Sequence, residues 1–512
     1  MRQRLGRPSR RSGRGVAGLL ADFGHDLPTV PESPVRPKDR LAWSSAAIAG
    51  PRRRSRGWAA ATAPVSAWRM TSEQAAALWP LITGPGLPAT GAFIGMDVLS
   101  GAAHYCDPHG WTLNPDVPVT NPNIMVFGKP GTGKSATVKA FCLRSIDFGY
   151  RILVPGDPKD EYEDLARFLG VAPIAVGPGM AARVNPLSLG PLGQGWDQLA
   201  SDESQARAAS VFKRWELLVR GLVGSQRVGE SRVAFGPVEA EAVREVLKHL
   251  TGFERGVTRL SETTLPHVWE ALRNPSPDLV DQTRYSSARQ LLDETRVLRD
   301  ALGQLCSGVL GGMFDDHTNI DIDWSAPIQT LSLSRLEPLG DEAVGVALTC
   351  LNSWASAQRE LSSAADRRIV VRDESWKQLR LGPEAVKSYD ADLRLSRGAG
   401  GKGGDIQIAV LHKPSDLLSA GDHGSQSQMI AKDLLHLCDV KIMHGQRAGV
   451  ADELDTLLGL GPVVRDAITT WAMQQPGRGV WQIGSRHMKI QTILHPIERD
   501  LTWTNQAIAD AA

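Results

Sequence analysis

The segment Gly128-Lys-Pro-Gly-Thr-Gly-Lys-Ser135 has the spacing G-x-x-x-x-G-K-[ST] of a loop that wraps nucleotide phosphates. A short apolar run of strand type, 124–127, precedes it, and a helix-type segment, 136–145, follows. Backbone N–H groups and the positive end of the helix dipole then face one point, which suits an anion. The pattern predicts that nucleotide contacts come from one continuous set of residues: Gly128, Lys129, Pro130, Gly131, Thr132, Gly133, Lys134, Ser135 and Ala136.

Two side chains of this loop have the types that nucleotide chemistry requires. We expect Lys134 to reach the β- and γ-phosphates and the Ser135 hydroxyl to ligate Mg²⁺. ATP and Mg²⁺ are therefore the predicted cofactors.

A second acidic position is needed for the metal, and an apolar strand at 369–371 leads into Asp373-Glu374. We expect Asp373 to hold Mg²⁺ through a bound water and Glu374 to polarise the attacking water, which is a hydrolase arrangement. An Asp-Glu pair after a strand is also a common turn. The phosphate loop about 240 residues upstream favours the catalytic interpretation.

The strand predicted at 151–155 runs into Gly156-Asp157-Pro158-Lys159-Asp160-Glu161-Tyr162. Pro158 ends the strand and leaves Asp157 at the carboxyl edge of the sheet, where ligands of open α/β sheets bind. A charged surface turn is the alternative. We include Asp157 among the predicted cofactor-binding residues.

From this point the chain resembles the HerA–FtsK superfamily of DNA and protein translocation motors, and more closely the ATPases of type IV secretion and conjugation. The similar segments, in order and spanning roughly residues 85–505, are the phosphate loop, Asp-Pro-Lys-x-Glu-Tyr at 157–162, Gly312-Met-Phe-Asp315, Leu331-Ser-Leu-Ser-Arg-Leu336, Asp373-Glu-Ser-Trp376, and His495-Pro-Ile-Glu-Arg-Asp-Leu501 with Thr504-Asn505. The resemblance implies a P-loop NTPase core of RecA/HerA type, ATP hydrolysis, and self-association into a ring, a hexamer being the expected size.

Three positions depart from the pattern of that superfamily. Asp160 stands where glycine is usual, Arg372 replaces an apolar residue before the acidic pair, and His412 ends the sensor strand where glutamine is typical. A neutral histidine still donates one hydrogen bond, so His412 remains a predicted contact of the nucleotide.

Motors of this kind complete each site with an arginine from a neighbouring subunit. The candidates are Arg394, Arg397, Arg447 and Arg478, and Arg397 is preferred because it precedes a glycine-rich loop and then the sensor strand. A surface salt bridge is the alternative for each of them.

Composition bounds the class of protein. The 512 residues are long enough for two or three domains, and the net charge of +1 hides a basic start, since residues 1–57 hold 13 Lys/Arg against 4 Asp/Glu. Five scattered cysteines favour a reducing compartment, and no apolar run reaches the length of a membrane span. The expected location is the cytoplasm, with peripheral contact at the inner face of the cell membrane.

The expected fold class is α/β, a mostly parallel sheet flanked by helices and interrupted by an all-helical insertion. A capped helix near Thr71 is expected to open the folded part. Residues 91–113 read as a β-hairpin broken at Ser100-Gly101. The predicted divisions are a disordered basic tail at 1–69, a small β-containing segment at 70–120, the first half of the ATPase core at 121–195, the helical insertion at 196–310, the second half of the core at 311–505, and a tail at 506–512.

Three functional hypotheses follow. The first is a ring-forming motor that couples ATP hydrolysis to transport of DNA or protein, with membrane components of a transfer apparatus as partners. The second is a nucleotide-binding switch or scaffold without significant turnover. The third is an FtsK-like pump of double-stranded DNA, which is expected to carry a DNA-reading domain that the residues after Asn505 are too few to form.

Overall fold

The computed structural model describes residues 87–503, apart from 229–230, 310, 321, 324, 362–365, 397–403 and 419–425. The predicted basic tail 1–69, the helix start near Thr71, Thr504-Asn505 and the tail 506–512 therefore lie outside the described residues. So does Arg397.

Strands form where the sequence has short apolar runs, and in the described part of the chain eleven of them join in one sheet. Their bounds are β1 Ala92–Asp97, β2 Ala103–Cys106, β3 Ile124–Phe127, β4 Tyr150–Asp157, β5 Ile174–Ala175, β8 Ile328–Ser332, β9 Arg367–Arg372, β10 Asp405–Leu411, β11 Val440–His444, β12 Arg478–Ile483 and β13 Arg486–Thr492. The remaining two, β6 Arg227–Val228 and β7 Ser231–Arg232, pair separately.

The helices of the described residues are α1 Pro108–Leu113, α2 Lys134–Ser145, α3 Glu163–Phe168, α4 Ser201–Ser225, α5 Pro237–Thr251, α6 Leu265–Arg273, α7 Pro277–Gln282, α8 Ala288–Glu294, α9 Arg296–Gln304, α10 Asp341–Leu361, α11 Ser375–Leu379, α12 Pro383–Leu395, α13 Ser415–Leu418, α14 Gln426–His436, α15 Ala448–Leu458, α16 Gly461–Thr469 and α17 Pro496–Thr502. Among them, none is both long enough and apolar enough to cross a bilayer.

The order of the strands across the sheet is β2-β1-β13-β12-β11-β3-β10-β9-β4-β8-β5. From β11 to β5 all neighbours are parallel, whereas β12, β13, β1 and β2 continue the sheet antiparallel. Because parallel strands end at the same edge, the carboxyl ends of β3, β10, β9 and β4 lie side by side. This edge is where the chemistry-bearing segments meet.

The predicted mostly parallel α/β sheet is confirmed, and its helices cover both faces. One face packs on α2 and α3 through a core that includes Val126, Phe141 and Leu165. The other face packs on α11, α12 and α14–α16 through a core that includes Phe127, Tyr389 and Leu454. Burial on both faces explains why the central strands read as continuous apolar runs.

The N-terminal hairpin is an extension of the main sheet, since β1 pairs with β13. The predicted hairpin 91–113 is correct for β1 and β2 but wrong beyond residue 106, where α1 begins. Asp107 caps that helix by accepting a hydrogen bond from the Gly110 N–H at 3.0 Å, and Pro108 occupies its first turn. A capping aspartate followed by proline starts a helix more readily than it continues a strand.

The insertion between β5 and β8 is built from α4–α9, within the predicted range 196–310. The stripe predicted on α4 is buried, since Val211, Trp215, Leu218 and Leu222 are at most 4% exposed. This stripe packs with α10, whose Leu351 lies in the same core. The insertion is not entirely helical, because the short pair β6–β7 follows α4.

Arg144, in the last turn of α2, ties the phosphate-loop helix to two distant segments. Its guanidinium donates to Glu498 of α17 at 2.7 Å and to the carbonyl oxygens of Phe93 and Ile493, each at 2.6 Å. Since both charged side chains are largely buried, removing one leaves the other unpaired in a poorly solvated place.

We expect Arg144→Met to lower the free energy of unfolding by about 3 kcal/mol, because the carboxylate of Glu498 is left unpaired. The control is Arg167→Met. Arg167 is exposed and pairs with Glu163 one turn earlier in α3, and this pair is expected to contribute under about 1 kcal/mol. Denaturant titration without nucleotide measures both variants. Equal effects of the two would contradict the role given to Arg144.

Candidate active site

The phosphate loop joins β3 to α2, and its glycines meet specific backbone requirements. Gly131 and Gly133 have φ of 80° and 94°, which side chains of L-residues rarely adopt. At Gly128 a Cβ would lie 2.7 Å from the Cβ of His444 and 2.9 Å from the Cγ of Lys134. The glycine spacing therefore gives the loop both its turn and its close packing.

The C-terminal part of the chain holds the phosphate loop in place. The Lys129 N–H donates to the Gly445 carbonyl, and the Gly477 N–H donates to the Thr132 carbonyl, each at 3.0 Å. The Thr132 hydroxyl donates back to the Lys129 carbonyl at 2.6 Å, so it is used inside the loop. The sequence pattern of the loop alone gave no sign of these supports.

Lys134 lies with its ammonium group against the loop backbone. The Nζ atom donates to the carbonyl oxygens of Gly128 at 2.7 Å and Lys129 at 3.4 Å, and the residue is only 7% exposed. Burial lowers the pKa of Lys134, and the charges of Asp373 and Glu374 partly oppose that shift. A phosphate oxygen is a stronger acceptor for this ammonium than a carbonyl oxygen is.

The remaining predicted loop contacts are more accessible. Lys129, Ser135 and Ala136 are partly exposed, and Pro130 and Gly131 are exposed at the tip of the loop. Ser135 lies in the first turn of α2, and its predicted contact with a metal ion stays a prediction.

Asp373, at the end of β9, lies in a cluster of carboxyl groups. It is 6% exposed, and burial, followed by the charges of Glu161, Glu374 and Asp157, raises its pKa well above the ordinary value. Glu161 also has a buried Oε2 atom with no hydrogen-bond partner. Crowded buried carboxyl groups are stabilised by a cation.

These residues fit a magnesium ion that keeps part of its water shell. In the described residues no three His, Cys, Asp or Glu side chains form a metal cage. Mg²⁺ characteristically takes one or two protein oxygens and completes its shell with phosphate and water. Asp373 and Ser135 carry oxygen atoms of that type and would be the ligands that the protein contributes.

Glu374 follows Asp373 in a left-handed backbone conformation with φ of 51°, at the start of α11. Its Oε1 atom contacts the Lys159 ammonium and accepts from His412 Nε2 at 3.3 Å, while Oε2 accepts from the Trp376 indole N–H. Burial would raise the pKa of Glu374, but the hydrogen bonds from His412 and Lys159 outweigh it and hold the pKa well below its ordinary value.

His412, at the end of β10, connects the phosphate loop to Glu374. Its Nδ1 atom lies 3.4 Å from the Lys134 Nζ atom, and its Nε2 atom faces Glu374. An ammonium group can only donate, so Nδ1 accepts and Nε2 carries the proton. Gln446 fixes the segment by donating to the His412 carbonyl at 2.7 Å.

Asp157, at the end of β4, makes its hydrogen bonds within its own loop. Its carboxylate accepts from the backbone N–H groups of Lys159, Glu161 and Tyr162, at 3.3, 3.1 and 2.7 Å. Burial raises its pKa to about 7, although the backbone hydrogen bonds oppose this. Its contacts shape the loop, and the predicted nucleotide contact stays a prediction.

Two of the departures noted in the sequence have local explanations. Asp160 adopts φ of 56°, a conformation that favours glycine, and its carboxylate accepts from Ser332. Arg372 is buried, donates to Gln407 at 3.1 Å and Asp392 at 2.6 Å, and lies over the ring of Tyr389. Arg372 therefore connects the end of β9 to β10 and α12.

Sequence reasoning passed over three residues of the site, namely Lys159, Glu161 and Trp376. All three belong to motifs identified in the sequence, at 157–162 and 373–376, so their positions near the site could have been predicted. Which of them reach Glu374 depends on side-chain geometry across the sheet edge.

The other three candidate arginines, which were considered for the trans position, make local contacts or are exposed to solvent. Arg394 pairs with Asp390 at 2.8 Å, and Arg447 is exposed at the start of α15. Arg478 donates to Gln491 and lies over the ring of Trp471.

The site geometry can be set beside known proteins. No protein-family model and no curated protein matches the sequence. Among solved structures, VirB4 of Thermoanaerobacter pseudethanolicus superimposes with a TM-score of 0.60 at 20% identity, covering 81% of this chain and 99% of that one. The chain has the VirB4 fold.

Structures of the conjugative coupling protein TrwB also match, more distantly. The unbound form has a TM-score of 0.49 at 12% identity, and the complex with ADP and Mg²⁺ has 0.48 at 14%. Each match covers 79% of this chain and 90% of the other. The VirB4 fold assignment depends on the first comparison.

The titration of Asp157 gives a testable pH dependence. Its folded-state pKa lies above the ordinary value, so its contribution to stability is complete at low pH and is lost as the pH rises through about 7. We expect the stability cost of Asp157→Asn to shrink between about pH 5 and 7.5, because the amide cannot acquire the buried charge.

Thermal midpoints of wild type and variant, measured without metal, give this difference at each pH. Taking the difference cancels the opposite slopes from His104 and His444, whose pKa burial lowers to about 4. Exposed Asp116→Asn is the control and should show no such trend. A cost that stays constant with pH would contradict the assignment.

Proposed function

We propose that the protein is an ATP-hydrolysing motor of the conjugative-transfer or type IV secretion kind, which couples hydrolysis to the movement of DNA or protein. One observation carries the proposal. The adjacent carboxyl ends of β3, β10 and β9 bring Lys134, His412 and Glu374 into one chain of contacts.

The residues divide the work as phosphoryl transfer requires, mainly by position and charge. Lys134 offsets the charge that develops on the transferred phosphoryl group, and Ser135 and Asp373 would hold Mg²⁺. The bound metal supplies electrostatic stabilisation of the phosphate oxygens. Glu374 would orient the attacking water and accept its proton, and the His412 Nε2–H, which now faces Glu374, would position a phosphate oxygen.

The motor interpretation rests on two supports. The motif order resembles secretion and conjugation ATPases, and the fold is that of VirB4. The proposal includes assembly into a ring, expected to be a hexamer, with an arginine from the neighbour entering each site. It further includes docking to membrane components at the cytoplasmic face.

A nucleotide-binding switch or scaffold is the second candidate, and a specific observation favours it. Both carboxylate oxygens of Glu374 already accept hydrogen bonds, which makes this carboxylate a weak base in the arrangement seen. In that case ATP binds and is not turned over.

Steady-state ATP hydrolysis distinguishes the two candidates. For a ring motor we expect turnover per subunit to climb steeply with protein concentration, and Lys134→Ala and Glu374→Gln each to lower it by at least about a hundredfold. Stimulation by single- or double-stranded DNA would identify a nucleic-acid cargo, whereas indifference to DNA would favour protein. Nucleotide that binds without hydrolysis at any concentration supports the switch and contradicts the motor.

The trans arginine has its own test. We expect Arg397→Ala to lower turnover in the assembled ring by about a thousandfold while leaving ATP affinity nearly unchanged, because this charge acts on the developing phosphoryl group. Arg394→Ala is the matched control, since that arginine pairs with Asp390 in its own helix. Unchanged turnover in Arg397→Ala rings would rule the assignment out.

A further inference from the structure

Lys159 is the partner of Glu374 that is best placed to move. Its side chain is 39% exposed, whereas that of Glu374 is 5% exposed. Its backbone is fixed, because its N–H donates to Asp157 and the loop continues into the left-handed Asp160. The charge of Lys159 is therefore carried by a flexible four-carbon side chain on a fixed backbone.

The other two partners of Glu374 are held more firmly. Trp376 belongs to the same short helix and is covered by the Arg380 guanidinium, 4.3 Å from its ring. His412 is anchored through its carbonyl by Gln446 and through its ring by Lys134. A change that frees Glu374 for catalysis therefore begins most readily at Lys159.

A chain of contacts shows where the ammonium group can go. Lys159 touches Glu374, Glu374 touches His412, and His412 touches Lys134. Glu374 thus lies between Lys159 and the Lys134 ammonium group, so a terminal phosphate bound by Lys134 one water away from Glu374 would come near the flexible Lys159 side chain. Its oxygens carry more negative charge than one carboxylate, so they compete for the ammonium.

We propose that Lys159 is a latch that responds to the γ-phosphate. Without nucleotide its ammonium group occupies the carboxylate of Glu374, and with ATP it transfers to the γ-phosphate and releases that carboxylate. The inference rests on the proposed function and deepens it, because it names the residue that distinguishes ATP from ADP. It also explains how Glu374, part of the acidic pair expected of a hydrolase, can act on water although its carboxylate accepts hydrogen bonds in the structure without nucleotide.

The latch predicts a selective loss of affinity. ADP lacks the γ-phosphate, so Lys159→Met should leave ADP binding within about twofold and weaken binding of a non-hydrolysable ATP analogue by about tenfold, the value of one charge-assisted hydrogen bond. Lys159→Arg should retain most of the discrimination. Glu374→Gln should tighten binding of the analogue relative to ADP, because the ammonium loses its charged competitor.

Isothermal titration calorimetry with ADP and with the imido analogue of ATP, both in excess Mg²⁺, measures these affinities. Lys213→Met, an exposed lysine in the insertion, controls for the change in net charge. The thermal midpoint of Lys159→Met without nucleotide tests whether the Lys159–Glu374 pair is only structural. In that case its loss lowers stability but leaves the ratio of the affinities for ADP and the ATP analogue unchanged.

The outcomes separate the two proposals. If wild type binds neither nucleotide, the proposed function is wrong. If wild type binds both and Lys159→Met changes the two affinities equally or not at all, the latch is wrong and the proposed function stands. A selective loss with the ATP analogue supports the latch.

Discussion

The carboxylate of Glu374 accepts hydrogen bonds from residues on three different segments of the chain, and the geometry of the site depends on this convergence. Lys159 comes from the loop after β4, Trp376 from α11, and His412 from the end of β10. The contacts of Lys159 and His412 require β4, β9 and β10 to end at one edge in the observed order, whereas Trp376 lies two residues after Glu374. A buried carboxylate without these donors would be costly, so the network and the sheet order depend on each other.

The cluster around Asp373 is the opposite case. There, burial and the charges of Glu161, Glu374 and Asp157 raise the pKa of Asp373. Hydrogen bonds from His412 and Lys159 instead hold the pKa of the adjacent Glu374 well below its ordinary value. Neighbouring carboxyl groups with divergent pKa values suit different tasks, one holding a cation and the other acting on water. In the proposed function, this difference in pKa would separate the position that holds the metal, Asp373, from the position of the base, Glu374.

The phosphate loop is supported from outside its own motif. Arg144 joins α2 to β1 and α17, and the loop itself is held by backbone hydrogen bonds, one donated to the Gly445 carbonyl and one accepted from the Gly477 N–H. These contacts link the last strands of the chain to the first strand of the core. The antiparallel strands β12 and β13 are therefore part of the framework of the site, and the closing motif at His495 contributes Glu498 to it.

Much of the arrangement could be predicted from the sequence because its signals are local. The glycine spacing, the apolar runs and Pro158 located β3, β4 and β9 to within one or two residues, and the acidic pair followed its strand as expected. The helix start at Asp107-Pro108 was equally local and was overlooked.

Tertiary structure alone decided which side chains meet, because strand order and side-chain direction are set by packing between segments hundreds of residues apart. It bound Lys159 to Glu374, placed His412 between that carboxylate and Lys134, and turned Asp157 toward its own backbone. The sequence motifs identified the residues with suitable chemical groups, and the order of the strands in the sheet determined which of those residues contact one another.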